Sequence, residues 1–298
     1  MTEERADNVF LKKPSAKIGE SRRVVRVMFS RWIVIFGIIV VLAFIIIALF
    51  APLLAPYDPT EPDYSAITQP LSKEHWLGTD ELGRDVLSRL IFGTRISLIV
   101  AVVGTFVSGL VGMLLGLLSG YLGRWVSAIV MRFIDALMAL PPIILMLAIA
   151  ALLGGGLTNV LISLFIAMIP TYCRLAYGEV LSIKENDYIT ATKSIGASNL
   201  RTMMRHVLPN VFPPILVLVT LNMGFAILAE ASLSYLGIGI NPPTPTWGNM
   251  VSNGYNYLRT LPLLSIAPGT AILLLVLAFN IVGDGLRDAL DPRLRGMI

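Results

Sequence analysis

One cysteine, Cys173, and two histidines, His75 and His206, occur in 298 residues. A lone cysteine excludes an internal disulfide framework and any cysteine-based zinc or iron–sulfur site. The histidines fall on different apolar blocks, which argues against a histidine metal centre. Charge is also scarce: 14% of the residues are Asp, Glu, Lys or Arg, against roughly 25% in soluble domains. A water-surrounded fold is thereby excluded. The chain contains neither G-x-x-x-x-G-K-[ST] nor G-x-G-x-x-G after a strand pattern, so both familiar glycine-rich phosphate cradles are missing. If the work of this protein consumes ATP, another chain binds it.

What is plentiful is apolar surface. Hydrophobic residues make up 55% of the sequence, and the mean hydropathy is +0.77. The formal charge of +4 would suggest nucleic acid only if the basic residues clustered on a polar domain. They sit instead at the edges of apolar runs, where lipid head groups and orientation rules account for them.

About twenty apolar residues cross a bilayer core, and that length picks out six spans. The first, Trp32 to Leu54, contains an uncharged run from Trp32 to Phe50. That run is longer than a cleavable signal core of roughly 7–15 residues, so it reads as a retained helix. The others are Ile96 to Gly120, Trp125 to Leu153, Thr158 to Tyr177, Asn210 to Leu236 and Leu263 to Val282. The expectation is an all-α polytopic membrane protein with six transmembrane helices. Eight Lys and Arg residues from Arg5 to Arg31 place the N-terminus in the cytoplasm. Six spans then put residues 183–208 and the tail, 285–298, on that side too. The acidic segment 55–95 falls outside, and residues 96–284 form the core of five further spans.

Within the second span Gly104, Ser108, Gly112, Gly116 and Gly120 recur every four residues, a small-residue stripe suited to close helix packing. Pro141 and Pro142 fall inside the third span. Three ionisable residues lie within apolar blocks. Asp135 is expected to pair with Arg132 one turn away. Glu230, with no partner evident in the sequence, suits either an inter-helix hydrogen bond or an outer gate or pathway.

Residues 185–210, ENDYITATKSIGASNLRTMMRHVLPN, interrupt the apolar pattern. They read as helix, bend, helix. Asp187 is placed to cap a first helix whose apolar face is Tyr188, Ala191 and Ile195. Gly196 supplies the left-handed position that ends it. Ser198 is placed to cap a second helix, with Leu200, Met203, Met204 and Val207 on one side and Arg201 and Arg205 on another. Pro209 opens the fifth span, where its missing N–H costs nothing. Composition alone favours a helix lying on the membrane surface; a docking knob for a soluble partner is the alternative.

The stretch Thr190-Ala191-Thr192, then Gly196, then Leu208-Pro209, resembles the EAA coupling motif of ABC importer permeases, with threonines at the glutamate and second alanine. HWLGTDELGRDVLSRLIFGTRISL (75–98), PPTPTWGNM (242–250) and FNIVGDGLRDALDPRLRG (279–296) are similar to the dipeptide/oligopeptide/nickel permeases, DppC/OppC-type subunit. That resemblance implies the type I importer permease fold in a bacterial or archaeal cell membrane. It implies a DppB/OppB-like second permease, two DppD/DppF-like ATPase subunits that use ATP and Mg, and an extracytoplasmic binding protein delivering short peptides. No cofactor would be bound by this chain, which would not be an enzyme. ATPase-coupling roles are implied for Asp187, Tyr188, Thr190, Ala191, Thr192, Lys193, Gly196, Ala197, Arg201, His206 and Pro209.

Two further expectations concern the flanks. LGTDELGRD reads as a surface helix capped by Thr79 or Asp80, and GDGLRDALDPR as a short helix with local ion pairs. A self-sufficient ion-coupled transporter would want inverted repeats and paired midplane charges, and a membrane enzyme would want a nucleophile and base. The sequence offers neither.

Overall fold

Long apolar runs in lipid must satisfy every backbone group internally, and helices do so within one segment. The computed structural model describes Val25 and residues 27–290, and among them regular structure is helical throughout. We label the helices α1 (Trp32–Leu49), α2 (Ala51–Leu54), α3 (Val86–Leu122), α4 (Arg124–Met138), α5 (Pro142–Leu153), α6 (Leu157–Lys184), α7 (Asp187–Ser194), α8 (Asn199–Tyr235), α9 (Trp247–Tyr255) and α10 (Leu263–Leu290). Among the described residues α1, α3, α6, α8 and α10 are each long and apolar enough to cross a membrane, and α4 with α5 adds a sixth if the bent pair is one span. Most of the N-terminal basic residues, and Arg293 and Arg295, lie outside the described residues.

Several boundaries differ from the expected ones for physical reasons. The second span begins at Val86 rather than Ile96, because Asp85 accepts a hydrogen bond from the Ser88 N–H at 2.7 Å and caps the helix there. Charge thus enters the first turns of α3 without ending it. The third span is two helices meeting at 87°. Pro142 stands at the first position of α5 and cannot continue α4. The fourth runs on to Lys184, and the last to Leu290. Residues 283–290 therefore prolong α10 instead of forming a separate helix, while residues 291–293 of GDGLRDALDPR lie outside the described residues. Among the described residues Asp288 pairs with Arg31, 2.5 Å away on the approach to α1, rather than locally.

Helix association in lipid relies on close packing, since lipid tails are as apolar as leucine. The small-residue stripe of α3 supplies that packing against α6, which runs parallel to it. A Cβ on Gly112 would lie 2.6 Å from the Tyr172 Cβ, one on Gly116 2.5 Å from the Cys173 carbonyl oxygen, and one on Gly120 2.8 Å from the Val180 Cβ. α8 and α10 run antiparallel, with Leu221 against Gly283 and Val276 against Gly224. α1 packs on α10 through Gly37 and Gly285, while Ile39, Leu42, Ile46 and Leu49 stay exposed, as a lipid-facing helix requires.

Asp135 corrects another expectation. It pairs not with Arg132 but with Arg174 of α6, at 2.6 Å. Ile134 beside it is buried against Ile169 and Cys173 of α6, so this part of α4 packs on α6 within reach of Arg174.

The segment between α2 and α3 contains no helix, contrary to the surface helix expected over LGTDELGRD. It is a compact loop locked by ion pairs. Asp80 accepts from the Leu82 and Arg84 N–H groups and from Arg84 Nε at 2.8 Å, and Arg89 approaches it at 3.4 Å. His75 Nδ1 lies 3.0 Å from Asp85 Oδ1. Asp58 closes a turn in which the Thr60 hydroxyl, and then its N–H, hold the carboxyl below the usual carboxylate range. This loop and α9 meet the start of α3, where the Trp247 indole N–H donates to the Leu90 carbonyl at 3.0 Å and Thr246 caps α9.

Candidate functional site

At the opposite end of the bundle, residues 185–207 form the helix–bend–helix. The first helix starts one residue earlier than the capping role of Asp187 required. Asn186 occupies the cap position without a side-chain cap bond, and Asp187 is the first helical residue, where a carboxylate favours the positive end of the helix dipole. The buried residue of α7 is Ile189, packed into the core cluster with Val180, Ile183, Met203 and Val207. Tyr188 and Ile195, expected on the apolar face, are 46% and 85% exposed, and Ala191 is exposed beside them.

The bend has the geometry the sequence suggested. Gly196 adopts φ +82°. Its N–H donates to the Lys193 carbonyl at 3.0 Å, and the Ala197 N–H donates to the Thr192 carbonyl at 3.3 Å. Together these bonds make a Schellman motif that closes α7. Ser198 then caps α8, its hydroxyl accepting from the Arg201 N–H at 3.3 Å. Of the two threonines at the motif's variant positions, Thr192 turns its hydroxyl to its own helix, donating to the Tyr188 carbonyl at 2.7 Å, and the Thr190 backbone carbonyl accepts from the Ser194 hydroxyl at 3.1 Å.

The second helix does not end before the fifth span. Residues 199–235 form one helix, widened to a π turn at Met203–Val207. Pro209 has no N–H for the preceding turn, and the π turn absorbs that loss. The wider turn also shifts the register. Thr202, Met203 and Val207 are buried, whereas Leu200 and Met204 are 65% and 49% exposed. Arg201 is exposed, and the His206 carbonyl accepts from Asn210 Nδ2 at 2.7 Å. The exposed Tyr188, Ile195 and Leu200 give the element an apolar outer surface among charged residues.

Glu230 stands apart from this element, roughly 30 Å along α8 from Pro209 at 1.5 Å per residue. It is fully buried. In place of an inter-helix bond, one of the two roles expected of it beside an outer gate or pathway, it makes one within its own helix: the Ser234 hydroxyl donates to Oε1 at 2.7 Å. Ser234 in turn accepts from the Ile240 N–H at 3.3 Å, so the carboxylate fastens the turn after α8. Oε2 has no hydrogen-bond partner among the described residues.

Two functional-end residues escaped the sequence reading. Ile189 looked like one apolar residue among polar ones, and only packing shows it as the anchor. Tyr121, in the last turn of α3, contacts both halves of the bend: its hydroxyl donates to Asn199 Oδ1 at 3.3 Å, and Lys193 Nζ lies 5.7 Å from its ring centroid. An aromatic residue at the end of a span was the available signal.

A bundle of apolar helices long enough to cross a membrane, with a polar bend at one end, defines a multi-pass membrane protein. The fold is that of the MetNI methionine ABC transporter in its inward-facing form, with a TM-score of 0.55 at 18% identity over 69% of this chain and 98% of that one. Residues 112–296 match the family described as binding-protein-dependent transport system inner membrane component. Residues 21–70 match the N-terminal transmembrane domain of oligopeptide transport permease C. The chain belongs to the binding-protein-dependent permeases of ABC importers. It is 42% identical to the dipeptide transport system permease protein DppC of Alkalihalophilus pseudofirmus, over 88% of this chain and 86% of that protein. It is 43% identical to the glutathione transport system permease protein GsiD of Escherichia coli O6:K15:H31, over 86% and 85%.

Proposed function

We propose that this permease carries short peptides, the class to which both a dipeptide and glutathione belong, and that residues 185–208 are its docking knob for an ATPase subunit. The observation that carries the knob is the exposed Tyr188, Ile195 and Leu200 held on a bend fixed by Gly196 and anchored by Ile189. Exposed apolar side chains on a rigid, polar-rimmed element suit a protein partner.

In this reading the N-terminus, the knob and the C-terminus face the cytoplasm, and the loop before α3 faces outward. A second permease completes the pathway, two ATPase subunits use ATP and Mg, and a binding protein delivers the peptide from outside. The chain itself binds no cofactor and performs no hydrolysis. ATP-driven closure of the ATPase dimer moves the knob, and the Schellman bend passes that movement into α6 and α8 rather than absorbing it.

Peptide uptake into proteoliposomes tests this reading. Vesicles with the chain, its partner permease, both ATPases, the binding protein and ATP are expected to take up labelled dipeptide, and vesicles with the chain alone are expected to take up none. Gradient-driven uptake by the lone chain would overturn the proposal.

A further inference from the structure

The knob is contiguous in sequence with α6 and α8, which are the obvious routes for its movement. A third helix also holds it. Lys193 precedes the Gly196 bend and Asn199 follows it, and one side chain, Tyr121, touches both: the hydroxyl meets Asn199 Oδ1 at 3.3 Å and the ring lies under Lys193 Nζ at 5.7 Å. A second bond reinforces the same end of α3, since Lys184 Nζ, just before the knob, donates to the Gly120 carbonyl at 3.4 Å.

The helix that carries Tyr121 is well placed to transmit. Its small-residue stripe lies close to the α6 backbone at Gly112 and Gly116, so the two helices are tightly packed. Its other end carries Arg89, bound to the Pro59 carbonyl at 2.8 Å, and Leu90, bound to Trp247 at 3.0 Å. α3 therefore joins the knob at one face of the bundle to the loop and α9 at the other.

We infer that Tyr121 is a positioning residue for coupling: it spans the bend, keeps α7 and the start of α8 at a fixed angle, and passes the motion of the knob into α3. This rests on residues 185–208 being the ATPase docking element. A cation over an aromatic face and a neutral hydrogen bond are each modest contacts in a half-exposed setting. Their loss should loosen the linkage without unfolding the protein.

The test uses the complete transporter in proteoliposomes, with Tyr121→Ala and Tyr121→Phe compared with wild type. Peptide taken up per ATP hydrolysed is the readout, because a merely structural defect lowers the amount of assembled transporter and leaves that ratio unchanged. Tyr121→Ala is expected to lower the ratio by about two- to fivefold, the combined weight of the two contacts. Tyr121→Phe keeps the ring under Lys193 and loses the bond to Asn199, so an intermediate ratio is expected. A wild-type ratio in both variants, or uptake and hydrolysis falling in proportion, would overturn the inference. A photo-crosslinker at Leu200 of the wild type separates the two ideas. Crosslinking to the ATPase with unchanged Tyr121 variants defeats the positioning role alone. No crosslink defeats the docking reading and the inference with it.

Discussion

Gly116 of α3 and Cys173 of α6 are so close that a Cβ on the glycine would sit 2.5 Å from the Cys173 carbonyl oxygen. No side chain fits there without separating the two helices. Gly116→Val is expected to destabilise the protein by about 1–3 kcal/mol, the range for overpacking a tight core. Thermal unfolding in detergent, followed by size-exclusion chromatography, measures the shift. A variant as stable as wild type would show that the two helices are not packed this way.

The Arg174–Asp135 pair at 2.6 Å, with both side chains about half exposed, supports a prediction that separates it from the sequence-adjacent alternative. A double-mutant cycle on Asp135 and Arg174 is expected to give a coupling energy of about 0.5–1 kcal/mol, the size of a partly exposed ion pair. The same cycle on Asp135 and Arg132 is expected to give about zero within the error of such cycles. The reverse ranking would restore Arg132 as the partner.

Glu230 separates a structural role from a gate. Glu230→Gln keeps an oxygen for the Ser234 hydroxyl, so stability and uptake are expected to stay at wild-type levels. Glu230→Ala removes the acceptor and leaves a void, with an expected loss of about 2 kcal/mol. Denaturation of the purified permease reads the second, and peptide uptake reads the first. Lost uptake by a stably assembled Glu230→Gln variant would assign the carboxylate to the pathway.

These residues show where the sequence was informative. Local chemistry was legible: Gly196 at φ +82° and the Ser198 cap depend on residue types that favour those conformations whatever surrounds them. Apolar length was legible for the same reason, since a bilayer imposes its thickness on every span. Choices made by tertiary packing were not. Ile189 rather than Tyr188 is buried because α7 must seat against α6 and α8, which an eight-residue helix cannot announce. Arg174 rather than Arg132 meets Asp135 because α4 packs on α6 at this level. Pro141 and Pro142 fit a kink or a full break equally well in sequence, and the structure breaks at 87°.

If the Gly196 bend couples the ATPase to the pathway, uptake per ATP hydrolysed must change in a Gly196→Val transporter. A β-branched residue is a conformational outlier at positive φ, so the bend must open. Asn, which tolerates the left-handed region, provides the control. Gly196→Val is expected to insert normally and hydrolyse ATP with little uptake, while Gly196→Asn stays coupled. A wild-type ratio of uptake to hydrolysis in Gly196→Val would contradict coupling through the bend.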